Sequence, residues 1–384
     1  MKRIISFFLT FTFFLISLTV DVHADTSDIQ AESAILMEAS TGKVIYEKNP
    51  DETMAPASIT KIMTLLLIFD AIDAKEISLE DSVTVSEHAA SMGGSQVFLE
   101  AGEVQTVQTL IKCIAIASAN DACVAMAEYL CSSEEAFVEK MNQKAAELGM
   151  RNTNFINCCG LDVSGHVTTA RDVAIMSREL INKHPQIHDY STIWMDTFTH
   201  VTRKGETEFT LTNTNKLIKQ YEWATGLKTG STDEAKFCLS ATAKKNDIEL
   251  ISVVMASPTG KTRISDSITL LNYGYSICNM YKDTNMPLLT PISVKNSLCD
   301  ALECNYEHNF SYLFLTDFDQ TLLTKELEYI KNTNAPLKKG DVVGQLIYKY
   351  NGDIIGTVDI LASKDVKKAN FGDYIKMLWT ELLW

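Results

Sequence analysis

The organisation of this chain follows from residues 56–72, which read PASITKIMTLLLIFDAI. Apolar residues recur there at the three- and four-residue spacing of one helix face: Ile62, Leu65, Leu66, Phe69 and Ile72. This spacing predicts a buried helix with Pro56 near its first turn. Ser58 opens the helix and Lys61 follows three residues later, so both side chains are expected on the same face.

The sequence around this helix mixes helices with antiparallel strands. Residues 34–47 alternate in polarity and turn at Ser40-Thr41-Gly42, which predicts a β-hairpin. Residues 236–243 and 248–256 flank a short polar turn and predict two adjacent antiparallel strands. Further helices are predicted at 104–117, at 120–131, at 133–148 and from Thr169 onward. The pattern is typical of an α+β domain.

The pattern changes near Pro287 and Pro291, after which short strands with polar turns follow. We therefore predict an α+β domain over residues 25–282 and a small all-β domain over residues 283–363.

A C-terminal amphipathic helix is predicted over residues 364–384. Its apolar face consists of Phe371, Tyr374, Ile375, Leu378, Trp379 and Leu382, with Met377 and Trp384 adding apolar area and Lys367, Lys368 and Lys376 flanking it. Such a helix suits a membrane interface. The alternative is a helix packed on the protein's own body.

The first 24 residues are typical of a signal peptide: Lys2 and Arg3, an apolar stretch over 4–20, and small residues up to Ala24. An uncleaved membrane anchor is the alternative. Together with the C-terminal helix, this predicts an exported protein attached to the outer face of the cytoplasmic membrane.

Composition excludes several classes of protein. The 384 residues are 46% hydrophobic and 22% charged, which is ordinary for a globular protein. Lys and Arg number 34 against 49 for Asp and Glu, and the resulting net charge of −15 argues against nucleic acid as a partner.

Cysteines and histidines give no metal or cofactor signal. The nine cysteines are odd in number and contain no C-x-x-C pair, so we expect free thiols, with Cys113, Cys123 and Cys131 inside apolar helices. His184 and His188 have helical spacing, but Pro185 interrupts it. We expect no metal site and no cofactor.

Three short motifs carry the chemistry: Ser58-Ile59-Thr60-Lys61, Ser118-Ala119-Asn120 and Lys228-Thr229-Gly230. Ser40 and Lys43 also have S-x-x-K spacing, but they lie in the predicted hairpin turn, where the spacing gives no helical contact. A serine becomes a good nucleophile when a neighbouring base takes its proton, and a lysine buried in an apolar helix can be that base. The helix N-terminus also favours negative charge on an attacked carbonyl.

The trio, in this order, is the signature of penicillin-binding proteins and class A β-lactamases. The chain resembles the low-molecular-mass penicillin-binding proteins, the D-alanyl-D-alanine carboxypeptidases of the S11 peptidase family, and is most similar to the sporulation-type members of Gram-positive bacteria. Further stretches that carry the likeness are residues 94–99, 117–122, 169–172, 225–230 and 335–340. The resemblance implies a serine β-lactamase/DD-peptidase-like fold, peptidoglycan stem peptides ending in D-Ala-D-Ala as substrates, and β-lactams as acylating inhibitors.

The resemblance also implies a role for each site residue. Ser58 would be the acyl-forming nucleophile, Lys61 its proton acceptor and Ser118 a proton relay. The implied substrate-binding residues are Asn120, Lys228, Thr229, Gly230, Ser231 and Arg263, with Arg263 holding the terminal carboxylate and the backbone of Ser58 and Ser231 forming an oxyanion hole. Cys158-Cys159 departs from the family pattern in a loop bordering the site, and this bears on the rate of deacylation.

Two other functions are compatible with the same three motifs. A class A β-lactamase needs a glutamate to activate the deacylating water, and no glutamate occurs between Glu147 and Glu179. A non-catalytic penicillin-binding sensor or scaffold would acylate and stall, and only turnover of a D-Ala-D-Ala peptide separates it from an enzyme.

Overall fold

The computed structural model describes residues 26–203 and 205–382. The predicted signal peptide and Trp384 lie outside these residues, and so do the side chains of Leu378 and Leu382 from the predicted apolar face.

The helices of the described chain are α1 Lys61–Asp73, α2 Glu87–Ala90, α3 Val107–Ile116, α4 Asn120–Cys131, α5 Glu134–Glu147, α6 Ala170–Lys183, α7 His188–Ser191, α8 Leu217–Gln220, α9 Gly260–Ile277 and α10 Phe371–Leu382. Single 3₁₀ turns occupy Thr26–Asp28, Ala57–Thr60, Pro185–Ile187 and Gln320–Leu322.

The strands are β1 Ser33–Glu38, β2 Val44–Lys48, β3 Ser82–Thr84, β4 Val104–Thr106, β5 Met195–Thr202, β6 Gly205–Thr212, β7 Ala224–Thr232, β8 Lys236–Lys245, β9 Ile248–Ser257, β10 Asn279–Lys282, β11 Cys304–Tyr306, β12 Ser311–Phe314, β13 Leu323–Tyr329, β14 Val342–Tyr350 and β15 Asp353–Ala362.

The central sheet is antiparallel throughout, with strand order β2-β1-β9-β8-β7. Alternate residues of a strand point to opposite sides of the sheet, and helices pack on both sides. Ile35 and Met37 of β1 pack into a core with α1, α3, α4, α5 and α6. Ala34 and Leu36 pack on the other side with α9. The predicted α+β class is confirmed, and the result is a sheet between two helical layers.

The predicted hairpin and the predicted strand pair are present as β1–β2 and β8–β9. The predicted helix at 104–117 is shorter than expected. Residues 104–106 form β4, which pairs with β3, and the hydroxyl of Thr106 accepts a hydrogen bond from the backbone N–H of Thr109. A helix therefore begins only at Val107, after this N-cap.

The C-terminal part contains the four-stranded antiparallel sheet β11-β15-β14-β13 and the pair β10–β12. Val343 and Ile360 belong to its core, and the rings of Phe310 and Tyr348 stack with centroids 3.7 Å apart. The predicted all-β character is confirmed, whereas the boundary at residue 283 stays a prediction.

Helix α10 begins at Phe371, so residues 364–370 lead to the helix instead of forming its first turns. The backbone N–H of Asp373 donates to Oδ1 of Asn370 at 3.1 Å, and the backbone N–H of Asn370 donates to Oδ2 of Asp373 at 2.9 Å, which caps the helix. None of the described helices has both the length and the apolar character needed to cross a bilayer.

Candidate active site

Ser58 lies in the 3₁₀ turn Ala57–Thr60, directly before α1. Lys61 is the first residue of that helix and is fully buried. Its Nζ donates a hydrogen bond of 2.9 Å to the Oγ of Ser58. The contact predicted from the three-residue spacing is present, with a tight turn in place of the first helical turn.

Lys61 also connects two other segments to this turn. Its Nζ donates to the Oδ1 of Asn120 at 2.7 Å and to the carbonyl oxygen of Cys159 at 2.6 Å. A buried lysine with three acceptors is held in one position, since any rotation of its side chain would break a hydrogen bond inside the protein. The amine is therefore fixed beside Ser58.

The second motif forms the sharp connection between α3 and α4. Ser118 adopts a left-handed backbone conformation, with φ of 63°, which places its side chain in the cleft instead of in the helix. Asn120 begins α4, and its side-chain amide donates to the carbonyl of Gly93 at 2.7 Å. The backbone N–H of Asn120 donates to the carbonyl of Ser95 at 2.7 Å. Asn120 thus connects Lys61 to the loop over residues 93–99.

The third motif lies on β7, which is an edge strand of the central sheet. Lys228 is almost fully buried, and its Nζ donates to the Oγ of Ser118 at 2.8 Å and to the carbonyl of Thr229 at 3.1 Å. Burial lowers the pKa of Lys228 well below its usual value, and the positive charge of Lys61 adds to this effect. The two lysines therefore lie close enough in one cleft for a charge on Lys61 to disfavour a charge on Lys228.

Two glycines permit the close approach of chain segments around Ser58. Gly230 of β7 faces the serine turn, and a Cβ there would lie 3.0 Å from the carbonyl oxygen of Pro56. Gly160, with φ of 88°, approaches more closely, because a Cβ there would lie 1.8 Å from the carbonyl oxygen of Ala57. Residue 160 therefore tolerates only glycine, whereas a side chain at residue 230 would require the serine turn to shift by a few tenths of an ångström.

The remaining predicted binding residues lie around the same strand. The hydroxyls of Thr229 and Thr214 are 2.8 Å apart, and Ser231 is exposed. Arg263 of α9 donates from Nη1 to the carbonyls of Gly230 at 2.9 Å and Cys238 at 3.2 Å. All the site residues predicted from sequence therefore lie on the elements that enclose the cleft or directly behind β7.

The second S-x-x-K match has no such environment. Ser40 is exposed in the β1–β2 turn, and its Oγ donates to the Oε1 of Glu38 at 2.8 Å. The Nζ of Lys43 instead donates to the carbonyl of Leu313 at 3.2 Å. The side chains of Ser40 and Lys43 therefore bind different partners, unlike those of Ser58 and Lys61.

Sequence analysis missed two supporting residues. Asp121 is buried, and its carboxylate accepts hydrogen bonds of 3.1 Å from the backbone N–H groups of Val97 and Leu99. Burial raises the pKa of this carboxyl group, and the backbone hydrogen bonds oppose the rise. Asp121 thus fixes the 93–99 loop. The sequence signal that could have identified it is its position next to Asn120 in the 117–122 stretch.

The other missed residue is His166, which is buried behind the serine turn. Its Nδ1 accepts a hydrogen bond of 2.9 Å from the backbone N–H of Ile156, so Nε2 carries the proton and donates to the Oγ1 of Thr60 at 2.8 Å. Burial lowers the pKa of His166 to about 4. The sequence offered no signal here, because the partners are ten and 106 residues away.

The two histidines considered as metal ligands have separate partners. His184 pairs with Asp70 at 2.8 Å and His188 with Glu249 at 2.9 Å. All nine cysteines are free. Glu134, Cys158 and Cys159 form a group of ligand-type atoms that lie within 4.8 Å of one another. This group was not anticipated from the sequence, because Glu134 and Cys158 are 24 residues apart.

Two family models match this chain. Residues 19–259 match the S11 peptidase model, described as D-alanyl-D-alanine carboxypeptidase. Residues 292–368 match the model of the C-terminal domain of penicillin-binding protein 5.

Curated relatives and solved structures agree with these matches. The chain is 42% identical over 358 residues to the D-alanyl-D-alanine carboxypeptidase DacF of Bacillus subtilis, a match that covers 92% of this chain and 90% of DacF. Its fold is similar to penicillin-binding protein 5 of Haemophilus influenzae, with a TM-score of 0.75, 30% identity, and coverage of 88% of this chain and 98% of that one. The Streptomyces K15 DD-transpeptidase matches 65% of this chain and 98% of its own length, with a TM-score of 0.61 and 30% identity.

Proposed function

The chain belongs to the D-alanyl-D-alanine carboxypeptidase family of S11 peptidases, and we propose that Ser58 is its nucleophile and Lys61 the base that activates it. The protein acts as a serine-type D-Ala-D-Ala carboxypeptidase on peptidoglycan stem peptides and binds β-lactams. One observation carries the assignment of residues: the buried Nζ of Lys61 lies 2.9 Å from the Oγ of Ser58. A nucleophile within hydrogen-bond reach of a fixed base is the arrangement that acyl transfer requires.

In the proposed first step, Lys61 acts as a neutral amine: its Nζ donates to the oxygens of Asn120 and Cys159 and accepts the proton of Ser58 as Oγ attacks the carbonyl carbon of the penultimate D-alanine. The peptide bond then breaks, the released D-alanine amine takes up a proton, and an ester on Ser58 remains. The Ser118–Lys228 pair, with its 2.8 Å hydrogen bond, is the proposed relay for that proton. Water hydrolyses the ester in the second step.

Substrate binding is proposed along β7. Because β7 is an edge strand, an extended peptide can add to it through backbone hydrogen bonds. Thr229 and Gly230 would line this strand, and Asn120 would orient the peptide from the opposite wall. The backbone N–H groups of Ser58 and Ser231 are the proposed oxyanion hole. Lys228, with Arg263 behind β7, would attract the free C-terminal carboxylate.

Location is proposed from both ends of the chain. The predicted signal peptide supports export, and α10 supports attachment to the outer face of the cytoplasmic membrane. The described apolar side chains of α10 are exposed, with Phe371 at 80% and Trp379 at 64%. An exposed apolar helix favours an interface over packing on the protein's own body.

The site is tested by mapping the penicillin adduct. The native protein should carry it on Ser58, Ser58→Ala should carry none, and Ser40→Ala, the matched control, should be acylated normally. Lys61→Ala should lose several orders of magnitude in acylation rate, because nucleophile and base act as a unit. An adduct on another serine would refute the assignment.

Turnover separates the enzyme from a penicillin-binding sensor. We expect the native protein to release D-alanine from a pentapeptide ending in D-Ala-D-Ala, over many cycles per chain. Release of no more than one equivalent would favour the sensor instead.

A further inference from the structure

Glu134, Cys158 and Cys159 form a compact group of side chains next to the Cys159 carbonyl that accepts a hydrogen bond from Lys61. Glu134 begins α5, and the two cysteines lie in the segment between α5 and α6. Both thiols are buried, and the Glu134 side chain is 13% exposed. The proposed carboxypeptidase reaction uses none of these side chains.

We propose that this group, the carboxylate of Glu134 with the thiols of Cys158 and Cys159, binds a thiophilic divalent cation, with Zn²⁺ as the representative ion. Thiolate sulfur and carboxylate oxygen are both common zinc ligands. The three ligand atoms lie within 4.8 Å of one another. Two sulfurs bound to one tetrahedral zinc are about 3.7 Å apart, so the ligands need to move by about 1 Å or less to close around the ion.

The surroundings already orient the carboxylate. Its Oε1 accepts a hydrogen bond of 3.0 Å from the backbone N–H of Cys158, and its Oε2 lies 3.0 Å from Nε2 of His88. A ligating carboxylate that is itself hydrogen-bonded is typical of protein metal sites. The His88 side chain is 52% exposed, so the ion has a path from solvent past His88, and water can fill the fourth position.

Zinc binding releases protons from the group and leaves its formal charge unchanged. Each thiol loses one proton to solvent as its sulfur bonds to the metal. Two thiolates and one carboxylate with Zn²⁺ carry the same formal charge as the two thiols and the carboxylate do without it. The Cys159 thiol gives up a weak 3.6 Å hydrogen bond to Oδ1 of Asn157, which keeps its 2.6 Å bond from the backbone N–H of Gly160.

The backbone connects this group to catalysis. The carbonyl of Cys159 accepts the 2.6 Å hydrogen bond from Nζ of Lys61, and the carbonyl of Cys158 accepts one of 2.6 Å from Oγ1 of Thr64. Drawing the two sulfurs toward one ion shifts these carbonyls and with them the lysine. Bound metal should therefore slow acylation of Ser58, and this consequence rests on the role proposed for Lys61.

Binding is tested first, without substrate, on the reduced full-length protein with Zn²⁺ in a calorimetric titration. We expect one ion per chain, with release of protons to the buffer. Cys158→Ser and Cys159→Ser should abolish binding, and Glu134→Gln should weaken it. His88→Asn should weaken it by about 10- to 100-fold, as loss of an outer partner does.

The matched control is Cys131→Ser, because Cys131 is a partly buried helical cysteine outside the group. It should bind Zn²⁺ as the native protein does. Equal binding by native protein and the Cys158→Ser/Cys159→Ser double variant would refute the site, and so would failure of the folded native protein to bind Zn²⁺. Glu134→Gln tests the site even if a cysteine variant does not fold.

Coupling is tested by the penicillin acylation rate with Zn²⁺ and after chelation. The native protein and Cys131→Ser should be slowed by Zn²⁺ and recover with chelator, whereas Glu134→Gln should respond only at higher Zn²⁺. Zinc binding without any change in acylation would refute the coupling to Lys61. Because zinc binding is measured without substrate, its result does not depend on the catalytic role proposed for Lys61.

Discussion

Lys228 is a buried lysine on the strand where we place the substrate, and its proposed partner is the substrate's free carboxylate, whose negative charge favours the protonated amine. A hydrogen bond between charged groups contributes about 1.5–3 kcal/mol. Amidating the C-terminus of a D-Ala-D-Ala peptide should therefore lower kcat/KM of the native enzyme by about 10- to 100-fold. In Lys228→Ala the same amidation should have little further effect.

The control for this comparison is Lys244→Ala, since Lys244 is an exposed lysine on the neighbouring strand β8. That variant should discriminate between acid and amide as strongly as the native enzyme. Equal losses on amidation in the native enzyme and in Lys228→Ala would show that the carboxylate is bound elsewhere.

His166 should make stability depend on pH. Its neutral ring accepts the backbone N–H of Ile156, and a protonated Nδ1 would face that N–H as a second donor. Its pKa is about 4, against 6.5 for an unperturbed histidine, so between these values the unfolded chain binds the additional proton. The stabilisation is complete above pH 6.5 and is lost as the pH falls to 4, by about 3 kcal/mol in total.

Urea unfolding from pH 7 to pH 4 measures this dependence. His166→Gln should have a shallower loss of unfolding free energy than the native protein, whereas His308→Gln, at an exposed histidine of the β domain, should follow the native curve. Parallel curves for the native protein and His166→Gln would contradict the prediction.

Among the elements, the segment between α5 and α6 depends on one glycine for its contact with the serine turn. Gly160→Ala would place a Cβ 1.8 Å from the carbonyl oxygen of Ala57, so one of the two backbones has to move. Displacement by about 1 Å at a reacting centre can cost about 100-fold in rate. We expect at least such a loss in penicillin acylation, measured with a fluorescent penicillin.

Gly149, which follows α5, provides the matched control. It also has a left-handed backbone, with φ of 76°, but nothing lies within 4 Å of an added Cβ. Gly149→Ala should cost about 1–2 kcal/mol of stability from backbone strain alone and leave acylation unchanged. Normal acylation by folded Gly160→Ala would show that the contact with Ala57 is dispensable.

For the whole molecule, the membrane proposal predicts that α10 can be removed without loss of the enzyme. The chain should be truncated after Ala369, because Val366 is buried in the core of the β domain and exchanges backbone hydrogen bonds with Leu337. The variant lacking residues 370–384 should no longer sediment with anionic liposomes. Its activity on small peptides and its melting temperature should match those of the full chain.

Full-length Phe371→Asp/Trp379→Asp should lose liposome binding in the same way, since it removes exposed apolar area without shortening the chain. Unfolding of the truncated protein, or failure of the full chain to bind liposomes, would mean that the apolar face packs on protein.

The sequence by itself determined whatever depends on neighbours along the chain. The spacing of Ser58 and Lys61 fixed their contact, because residues three apart on a helical turn meet. Alternation in β1 and the polar turn between β8 and β9 predicted strands, because side-chain direction repeats every two residues. The order of the three motifs identified the family.

Only the tertiary structure decided which distant groups meet. Lys61 contacts Asn120 and Cys159 across 59 and 98 residues, and Lys228 reaches Ser118 across 110. No local periodicity encodes such contacts, because they depend on how the sheet and both helical layers pack. For the same reason the carboxylate of Glu134 came to lie beside two cysteines that the sequence had marked only as a departure from the family pattern.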